Sequence, residues 1–312
     1  MNYILGTQHM TNETIPIIKD MGMNQVKITD TDPCFLDIID IPQFEYIFIW
    51  FRSRAPNFTN CFTPDESDSE YNAVYNFVCD MLHKYNGTRK HFYLGNRKGD
   101  YDILDFMDTT QNANSEKINK VINWVNIRQK AVSDARKHIN STVKFYYYLE
   151  LNRVVDAYNL KLSRIVNHVL PFVTIDYVSY SSHESQEYSL ELCKTLIEYI
   201  KTNMKCTTDY PVTTASRIFI GDFGTTPTSN DSKHAIDNLM VYLKYLKLGM
   251  PFILYSDRGM WLNRKSKLYY SLVEYHIMAN EYLGYLGSLT ECEFRDNVAI
   301  PTIESLIKKL RS

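Results

Sequence analysis

Two acidic residues in the sequence each end a strongly apolar run, which is an unusual place for a charge. Glu150 ends the run FYYYLE, and Asp222 ends the run IFIGD. A carboxylate beside so much apolar chain costs free energy unless it is paired or hydrogen-bonded, so both residues are expected to have a specific role. If the two meet in one site, they could act as a general acid and a general base.

Further polar side chains follow other apolar runs, where a strand would end and a loop would begin. The stretch FYLGNRKGDYDIL passes from an apolar run through Gly95 into Asn96, Arg97 and Lys98. Functional residues of α/β barrels are concentrated at such strand ends. The candidate substrate-binding residues are Asn96, Lys98, Asp100, Asn152, Tyr180, His183 and Tyr255, and comparable positions hold His9, Asp30 and Asp32. Each of them taken alone also fits an ordinary surface loop, because loops at a strand end face water.

Eight apolar runs of strand length supply the elements that would position these residues. They are Tyr3–Met10, Asn24–Asp30, Glu45–Phe51, His91–Asn96, Val143–Leu151, Thr174–Ser181, Arg217–Gly224 and Pro251–Ser256. Patterns with helical period occur at Asn12–Gly22, Tyr71–Tyr85, Glu116–Ile139, Leu190–Met204, His234–Leu248 and Leu268–Leu283. This alternation, with no linker between its parts, predicts an α/β protein whose residues 1–312 form one domain, a (β/α)8 TIM barrel. An open doubly wound sheet is the competing arrangement, but no G-x-G-x-x-G motif follows the first strand, so a dinucleotide site has no support.

Charge and hydropathy limit the partners of the protein. The formal net charge is -2 and the pI is about 6.5, which disfavours nucleic acid as a partner. The apolar runs fall well short of the ~20 residues that a membrane-spanning helix requires. No signal peptide is visible at the N-terminus. We therefore expect no membrane partner, and an intracellular location is favoured although the sequence does not name the compartment.

Metal and cofactor binding are not expected either. The six cysteines include no C-x-x-C pair, and the spacing of His9, Asp30 and His183 is not that of a known metal site. The sequence thus predicts no metal and no other cofactor.

Five motifs, in this order along the chain, resemble those of a known family. They are LGNRKGDYDIL, INWVNIRQKAVSDAR, YYYLELN, DYVSYSSHESQ and IFIGDFG. They are similar to motifs of a little-characterised family of TIM-barrel proteins related to glycoside hydrolases. Members of that family read N-W-E-G-D-W after the fourth strand, W-L-N-x-R-Q-x-G-V-x-x-A-R in the next helix, E-V-N after the fifth strand, S-Y-S-S-W-D after the sixth and G-E-F-G after the seventh. The resemblance spans roughly Tyr3 to Asp257 and implies a glycosidase-like barrel.

The resemblance also implies that the catalytic pair of the family is altered in this chain. At the matched positions, Lys98 stands for the glutamate after the fourth strand, Arg97 for the tryptophan beside it, and Asp222 for the glutamate after the seventh strand. His183 and Glu184 stand for the Trp-Asp pair after the sixth strand. Retaining glycosidases hold an acid/base and a nucleophile with carboxyl groups about 5–5.5 Å apart. A lysine cannot replace a carboxylic acid in this role, and an aspartate reaches roughly 1.5 Å less far than a glutamate.

Three functions compete at this point. The first is a glycosidase-like barrel that is catalytically impaired and acts as a carbohydrate-binding or protein-interaction module. The second is an active glycosidase that uses Glu150 and Asp222, and the third is a structural or assembly protein that keeps the barrel as a scaffold. The first hypothesis predicts that the ammonium group of Lys98 lies within salt-bridge reach of Asp222 or Glu150. Both carboxylates are expected to point inward at the same end of the barrel.

The segment Arg52–Glu70, which follows the third strand, is predicted to be a long loop at the mouth of the barrel. Its prolines favour turns, and its acidic residues Asp65, Glu66 and Asp68 favour a solvated tip.

Overall fold

The described residues of the computed structural model are 2–3, 24–52, 63–105, 108–208, 216–224 and 231–257. Eight parallel strands form a closed barrel in the order β1-β10-β9-β7-β5-β4-β3-β2. These strands are β1 (Asn2–Tyr3), β2 (Gln25–Thr29), β3 (Tyr46–Trp50), β4 (His91–Gly95), β5 (Lys144–Leu151), β7 (Tyr177–Ser181), β9 (Ile218–Phe223) and β10 (Ile253–Asp257). The remaining two strands, β6 (Thr174–Ile175) and β8 (Lys205–Cys206), form a separate pair. The predicted (β/α)8 TIM barrel is thus confirmed.

Helices occupy the connections between the strands. They are α1 (Phe35–Ile39), α2 (Pro64–Lys84), α3 (Asp100–Ile103), α4 (Ser115–His138), α5 (Val154–Leu160), α6 (Ile165–His168), α7 (Leu190–Asn203) and α8 (Asp231–Lys247), with a 3-10 helix at Leu170–Phe172. Over the described ranges, no helix has both the length and the apolar character to cross a membrane. The predicted helices Asn12–Gly22 and Leu268–Leu283 lie outside the described residues, as does His9.

Helix α2 begins earlier than the sequence predicted. The Thr63 side chain accepts a hydrogen bond from the Glu66 backbone N–H, and the Glu66 carboxylate accepts one from the Thr63 backbone N–H. This capping box, with Pro64 at the first helical position, starts the helix at Pro64 and not at Tyr71. The prediction of a loop as far as Glu70 is therefore wrong from Pro64 onward, and residues 53–62 lie outside the described part of the chain. Two of the acidic residues predicted for a loop tip, Asp65 and Glu66, instead stabilise the first helical turn.

Helix α4 carries the motif INWVNIRQKAVSDAR, and its polar residues attach the helix to the rest of the protein. Arg128 Nε lies 2.6 Å from Glu70 Oε1 of helix α2, and both side chains are buried. Trp124 Nε1 donates to the same oxygen at 3.0 Å. Arg128 also donates to the Phe51 carbonyl at 3.1 Å, which connects the helix pair to the end of β3.

The second half of the same motif meets Asp176, the residue between β6 and β7. Arg136 Nη1 donates to Asp176 Oδ2 at 2.6 Å, and Gln129 Nε2 donates to it at 3.2 Å. The same carboxylate accepts the Tyr147 backbone N–H at 2.9 Å. Asp176 interrupts the predicted single strand Thr174–Ser181, so that β6 can pair with β8 while β7 enters the barrel.

Aromatic rings fill the interior of the barrel. Inward-facing residues alternate along each strand with residues that face the helices. The inward-facing set packs as one cluster that comprises Phe48, Trp50, Tyr93, Tyr146, Tyr148, Tyr177, Phe219, Phe252 and Leu254. A Cβ atom on Gly95 would lie 2.4 Å from the Tyr148 ring, so only glycine leaves room for that ring. The interior below the mouth is therefore packed and not an open channel.

A β-bulge in β9 determines the direction of Asp222. The register between β7 and β9 shifts, because Tyr180 pairs with Ile220 whereas Ser181 pairs with Asp222. A Cβ atom on Gly221 would lie 1.8 Å from Ser179 Oγ, so this position requires glycine. Phe219 faces inward, so regular alternation would point Asp222, three residues later, toward the helices. The extra residue of the bulge turns the Asp222 side chain inward instead.

Candidate functional site

The carboxylate of Glu150 lies inside the barrel at the end of β5 and is fully buried. Its Oε2 atom lies 2.5 Å from Lys27 Nζ and accepts the Ser179 hydroxyl at 3.0 Å. Its Oε1 atom accepts the backbone N–H of Lys98 at 3.0 Å. Both oxygens thus have protein partners, and Glu150 points inward as predicted.

Lys27 is the partner that the sequence analysis missed. It lies in the middle of β2 and is fully buried, with its ammonium group 4.3 Å from the Trp50 ring centre and 2.9 Å from the Gly221 carbonyl. Burial lowers the pKa of Lys27, while the charges of Glu150 and Asp222 oppose that shift. The available signal was a lysine between Val26 and Ile28, because alternation places Lys27 on the opposite face of the strand from these two apolar residues.

Asp222 is buried beside two side chains that carry, or can carry, positive charge. Lys98 Nζ lies 3.1 Å from Asp222 Oδ2, and His183 Nε2 lies 3.0 Å from Asp222 Oδ1. The Ser181 hydroxyl adds a hydrogen bond at 3.3 Å. Burial would raise the pKa of Asp222, but contact with His183 and the charges of Lys98 and Lys27 outweigh burial and hold this pKa well below its ordinary value. The predicted contact between Lys98 and Asp222 is confirmed.

The loop after β4 brings Lys98 between the two carboxylates. Asn96 Oδ1 accepts the Glu150 backbone N–H at 2.9 Å, and Asn96 Nδ2 donates to the Glu150 carbonyl at 3.3 Å. The Gly99 backbone N–H donates to the same carbonyl at 3.0 Å. Lys98 itself has a left-handed backbone conformation with φ of 40°, which is strained for a residue with a side chain. One residue therefore binds Glu150 through its backbone and Asp222 through its side chain.

Asp100 and Asn152 hold the neighbouring loops together. The buried Asp100 carboxylate accepts the backbone N–H of Asn152 at 2.8 Å and that of Ile165 at 2.8 Å. Burial raises the pKa of Asp100, and these backbone hydrogen bonds oppose the rise. The predicted binding role of Asn96, Asp100 and Asn152 stays a prediction, but the contacts that the structure gives them are with the protein itself.

Tyr180 lies apart from the mouth. It packs in the apolar layer outside the barrel, and its hydroxyl lies 2.7 Å from Ser185 Oγ. Its neighbours Ser179 and Ser181 point inward instead, as the alternation of a strand requires. The side chain of Tyr255 lies outside the described residues.

Other acidic residues at this end are held by backbone groups. Asp30 accepts the Arg52 backbone N–H at 3.0 Å, and Asp32 accepts the Cys34 backbone N–H at 2.9 Å. Glu184 accepts the Val155 backbone N–H at 3.0 Å, and burial raises the pKa of Glu184 to about 8. Within the described ranges, no group of three or more His, Cys, Asp or Glu residues is placed to hold a metal ion.

The fold has known structural relatives. No protein-family model matches the sequence, and no curated protein matches it. The GH5-4 broad specificity endoglucanase from Clostridium longisporum matches with a TM-score of 0.55 at 12% sequence identity, over 87% of this chain and 87% of that chain. The GH5-4 broad specificity endoglucanase from Clostridium cellulovorans matches with a TM-score of 0.50 at 12% identity, over 87% of each chain. The fold is that of a glycosidase-like TIM barrel. The resemblance inferred from the sequence motifs is confirmed in this respect.

The two buried carboxylates of the site each form an ion pair with a lysine. Glu150 pairs with Lys27 and Asp222 pairs with Lys98. The charge of Lys98 is among the causes that hold the pKa of Asp222 below its ordinary value.

Proposed function

We propose that this glycosidase-like barrel binds a carbohydrate at its mouth without hydrolysing it. The ion pair of 3.1 Å between Lys98 and Asp222 is the observation that carries the proposal. These two residues stand at the motif positions of the acid/base and the nucleophile in the resembling family. Hydrolysis requires one of the two groups to donate a proton and the other to attack or to activate water. Lys98 supplies no carboxylic acid for the first of these steps.

Glu150 does not replace the missing acid. Its carboxylate is fully buried and is contacted by Lys27, Ser179 and the Lys98 backbone. A general acid must reach the glycosidic oxygen directly or through one water molecule. Trp50 Nε1 donates a further hydrogen bond to the Glu150 carboxylate at 3.4 Å. The buried position and these four contacts leave Glu150 a structural role in the floor of the mouth.

Two observations support carbohydrate as the ligand. The matched structures with the same fold are endoglucanases, although a fold alone does not dictate a function. The side chains of Lys98 and His183 keep 16% and 14% of their surface exposed. Hydrogen-bond donors at the rim of a barrel are suited to the hydroxyl groups of a sugar.

The test combines a hydrolysis assay with a binding assay on the same protein. Aryl glycosides of several sugars are offered for turnover, and oligosaccharides are titrated in a calorimeter. We expect no turnover above background and saturable binding of at least one oligosaccharide. Lys98→Ala is expected to weaken that binding about fivefold, the value of roughly one hydrogen bond. The matched control Lys201→Ala removes an exposed lysine of helix α7 and should leave binding unchanged.

Three results would contradict the proposal. Hydrolysis that disappears in Asp222→Ala or Glu150→Ala would identify an active glycosidase. Hydrolysis that survives both substitutions would place an active site elsewhere in the chain. Failure of every oligosaccharide to bind would favour a protein-interaction module or a scaffold.

A further inference from the structure

Charges at the mouth of the barrel are arranged in two levels. The carboxylates of Glu150 and Asp222 are fully buried, whereas the side chains of Lys98 and His183 are partly exposed. Arg97, next to Lys98 in the same loop, is exposed. A ligand that approaches the mouth therefore meets Arg97, Lys98 and His183 before it meets the carboxylate of Asp222.

Arg97 is an exposed cation that can bind such a ligand. Its guanidinium carbon lies 5.5 Å from the centre of the Trp50 ring, within the range of a cation–π contact. In the described part of the chain, no carboxylate forms an ion pair with Arg97. A guanidinium group placed beside an aromatic ring keeps its N–H donors available, and their planar arrangement matches a carboxylate or a sulfate group.

The charges of the cluster do not cancel. Lys27, Arg97 and Lys98 face only two carboxylates, those of Glu150 and Asp222, so one positive charge is in excess among these described residues. His183 lies in the same cluster, with Nδ1 3.2 Å from the Gly224 carbonyl and Nε2 3.0 Å from Asp222 Oδ1.

The other acidic side chains at this end accept hydrogen bonds from the protein backbone. The buried Asp100 carboxylate is occupied by backbone N–H groups. Burial raises the pKa of Glu184 to about 8, which disfavours the charged form of this carboxyl. Asp30 binds the backbone of Arg52, whose exposed side chain adds a further cation at the end of the neighbouring strand.

We propose that the mouth selects an acidic carbohydrate, with a carboxylate or sulfate group of the ligand bound by Arg97 and by the exposed side of Lys98. This inference rests on the proposed carbohydrate binding and names the class of sugar. An ammonium group has three donors, so Lys98 can bind an anion and keep its contact with Asp222. The uronate and the sulfate ester are two sources of the same chemistry, and the experiment separates them.

The experiment compares four ligands by calorimetry at low ionic strength. They are an oligogalacturonide, a sulfated oligosaccharide, a neutral cello-oligosaccharide of equal length, and inorganic sulfate. We expect at least one of the acidic oligosaccharides to bind about tenfold more tightly than the neutral one, as a charge-assisted hydrogen bond allows. Arg97→Gln should reduce this preference to within about twofold. Arg89→Gln removes one exposed arginine outside the mouth, at the opposite end of β4, and should preserve the preference.

Each other outcome has a distinct meaning. Equal binding of neutral and acidic oligosaccharides would overturn this inference and leave the proposed function standing. Absence of binding by all three oligosaccharides would overturn both. Inorganic sulfate that binds as tightly as the sulfated oligosaccharide would show a free-anion site and overturn the assignment to a carbohydrate. A preference that persists unchanged in Arg97→Gln would show that Arg97 is not the anchor.

Discussion

Asp222 stays charged inside the protein because positively charged groups contact it. Burial raises the pKa of this carboxyl, but His183, Lys98 and Lys27 together lower it below the ordinary value of 3.8. A carboxyl with a lowered pKa in the folded chain stabilises the fold above its ordinary pKa, and this contribution is lost as the pH falls. We expect the free energy of unfolding to fall steeply from about pH 4 to about pH 2, and Asp222→Asn to flatten that fall.

Urea unfolding at several pH values, followed by circular dichroism, measures this effect. Asp37→Asn is the matched control, because Asp37 is an exposed aspartate of helix α1 and its loss should leave the slope almost unchanged. An equal slope in Asp222→Asn and in the native protein would show that Asp222 does not carry the acid sensitivity.

Among the contacts between helices, a buried ion pair joins α2 to α4. Arg128 and Glu70 are both fully buried, and Trp124 shares the Glu70 carboxylate. Removal of one partner leaves the other charge buried without compensation, which typically costs about 3–5 kcal/mol. We therefore expect Glu70→Ala to lower the free energy of unfolding by about that amount, as measured by urea unfolding.

An exposed pair on another helix provides the control for this prediction. Glu198 and Lys201 on helix α7 are about half exposed, and Glu198→Ala should cost less than about 1 kcal/mol. The double substitution Glu70→Leu with Arg128→Met should recover much of the loss, because it removes both buried charges. A loss in Glu70→Ala no greater than that in Glu198→Ala would refute the structural role of the pair.

At the scale of the whole molecule, one ion pair crosses the interior of the barrel. Lys27 of β2 and Glu150 of β5 are 123 residues apart in sequence and 2.5 Å apart in space. Each buried group has the other as its ion-pair partner, so removal of one leaves an uncompensated buried group. We therefore expect Lys27→Met and Glu150→Gln each to destabilise the protein strongly. In the double variant the two losses should not add, with a coupling energy of about 2 kcal/mol or more.

A double-mutant cycle by urea unfolding measures this coupling. Glu198→Ala and Lys27→Met serve as the control pair, because Glu198 pairs with Lys201 on helix α7 and Lys27 pairs with Glu150 inside the barrel. The losses of stability in this control pair should be additive. Additivity of Lys27→Met and Glu150→Gln within about 0.5 kcal/mol would mean that the two charges act independently.

The strands of the barrel could be read from the sequence because the signal for a buried parallel strand is local. Runs such as FYYYLE are apolar at consecutive positions and therefore on both faces of the strand. A TIM-barrel strand needs such a run, because one face packs in the barrel interior and the other against the helices. The ends of the longer helices were less well predicted. Helix α2 starts at Pro64 because of the reciprocal contacts of Thr63 and Glu66, which the apolar periodicity does not record.

Sequence alone determined the class of fold and the presence of Glu150 and Asp222 at the ends of apolar strands. Tertiary structure alone decided what these residues contact. Lys27 and Glu150 meet only because the barrel closes, and Asp222 turns inward only because Gly221 forms a bulge against Ser179. Tyr180, which sequence reasoning placed in the site, faces the helices because its two neighbours face the interior. Side-chain direction and long-range pairing depend on strand register and barrel closure, and neither is encoded in any short stretch of the chain.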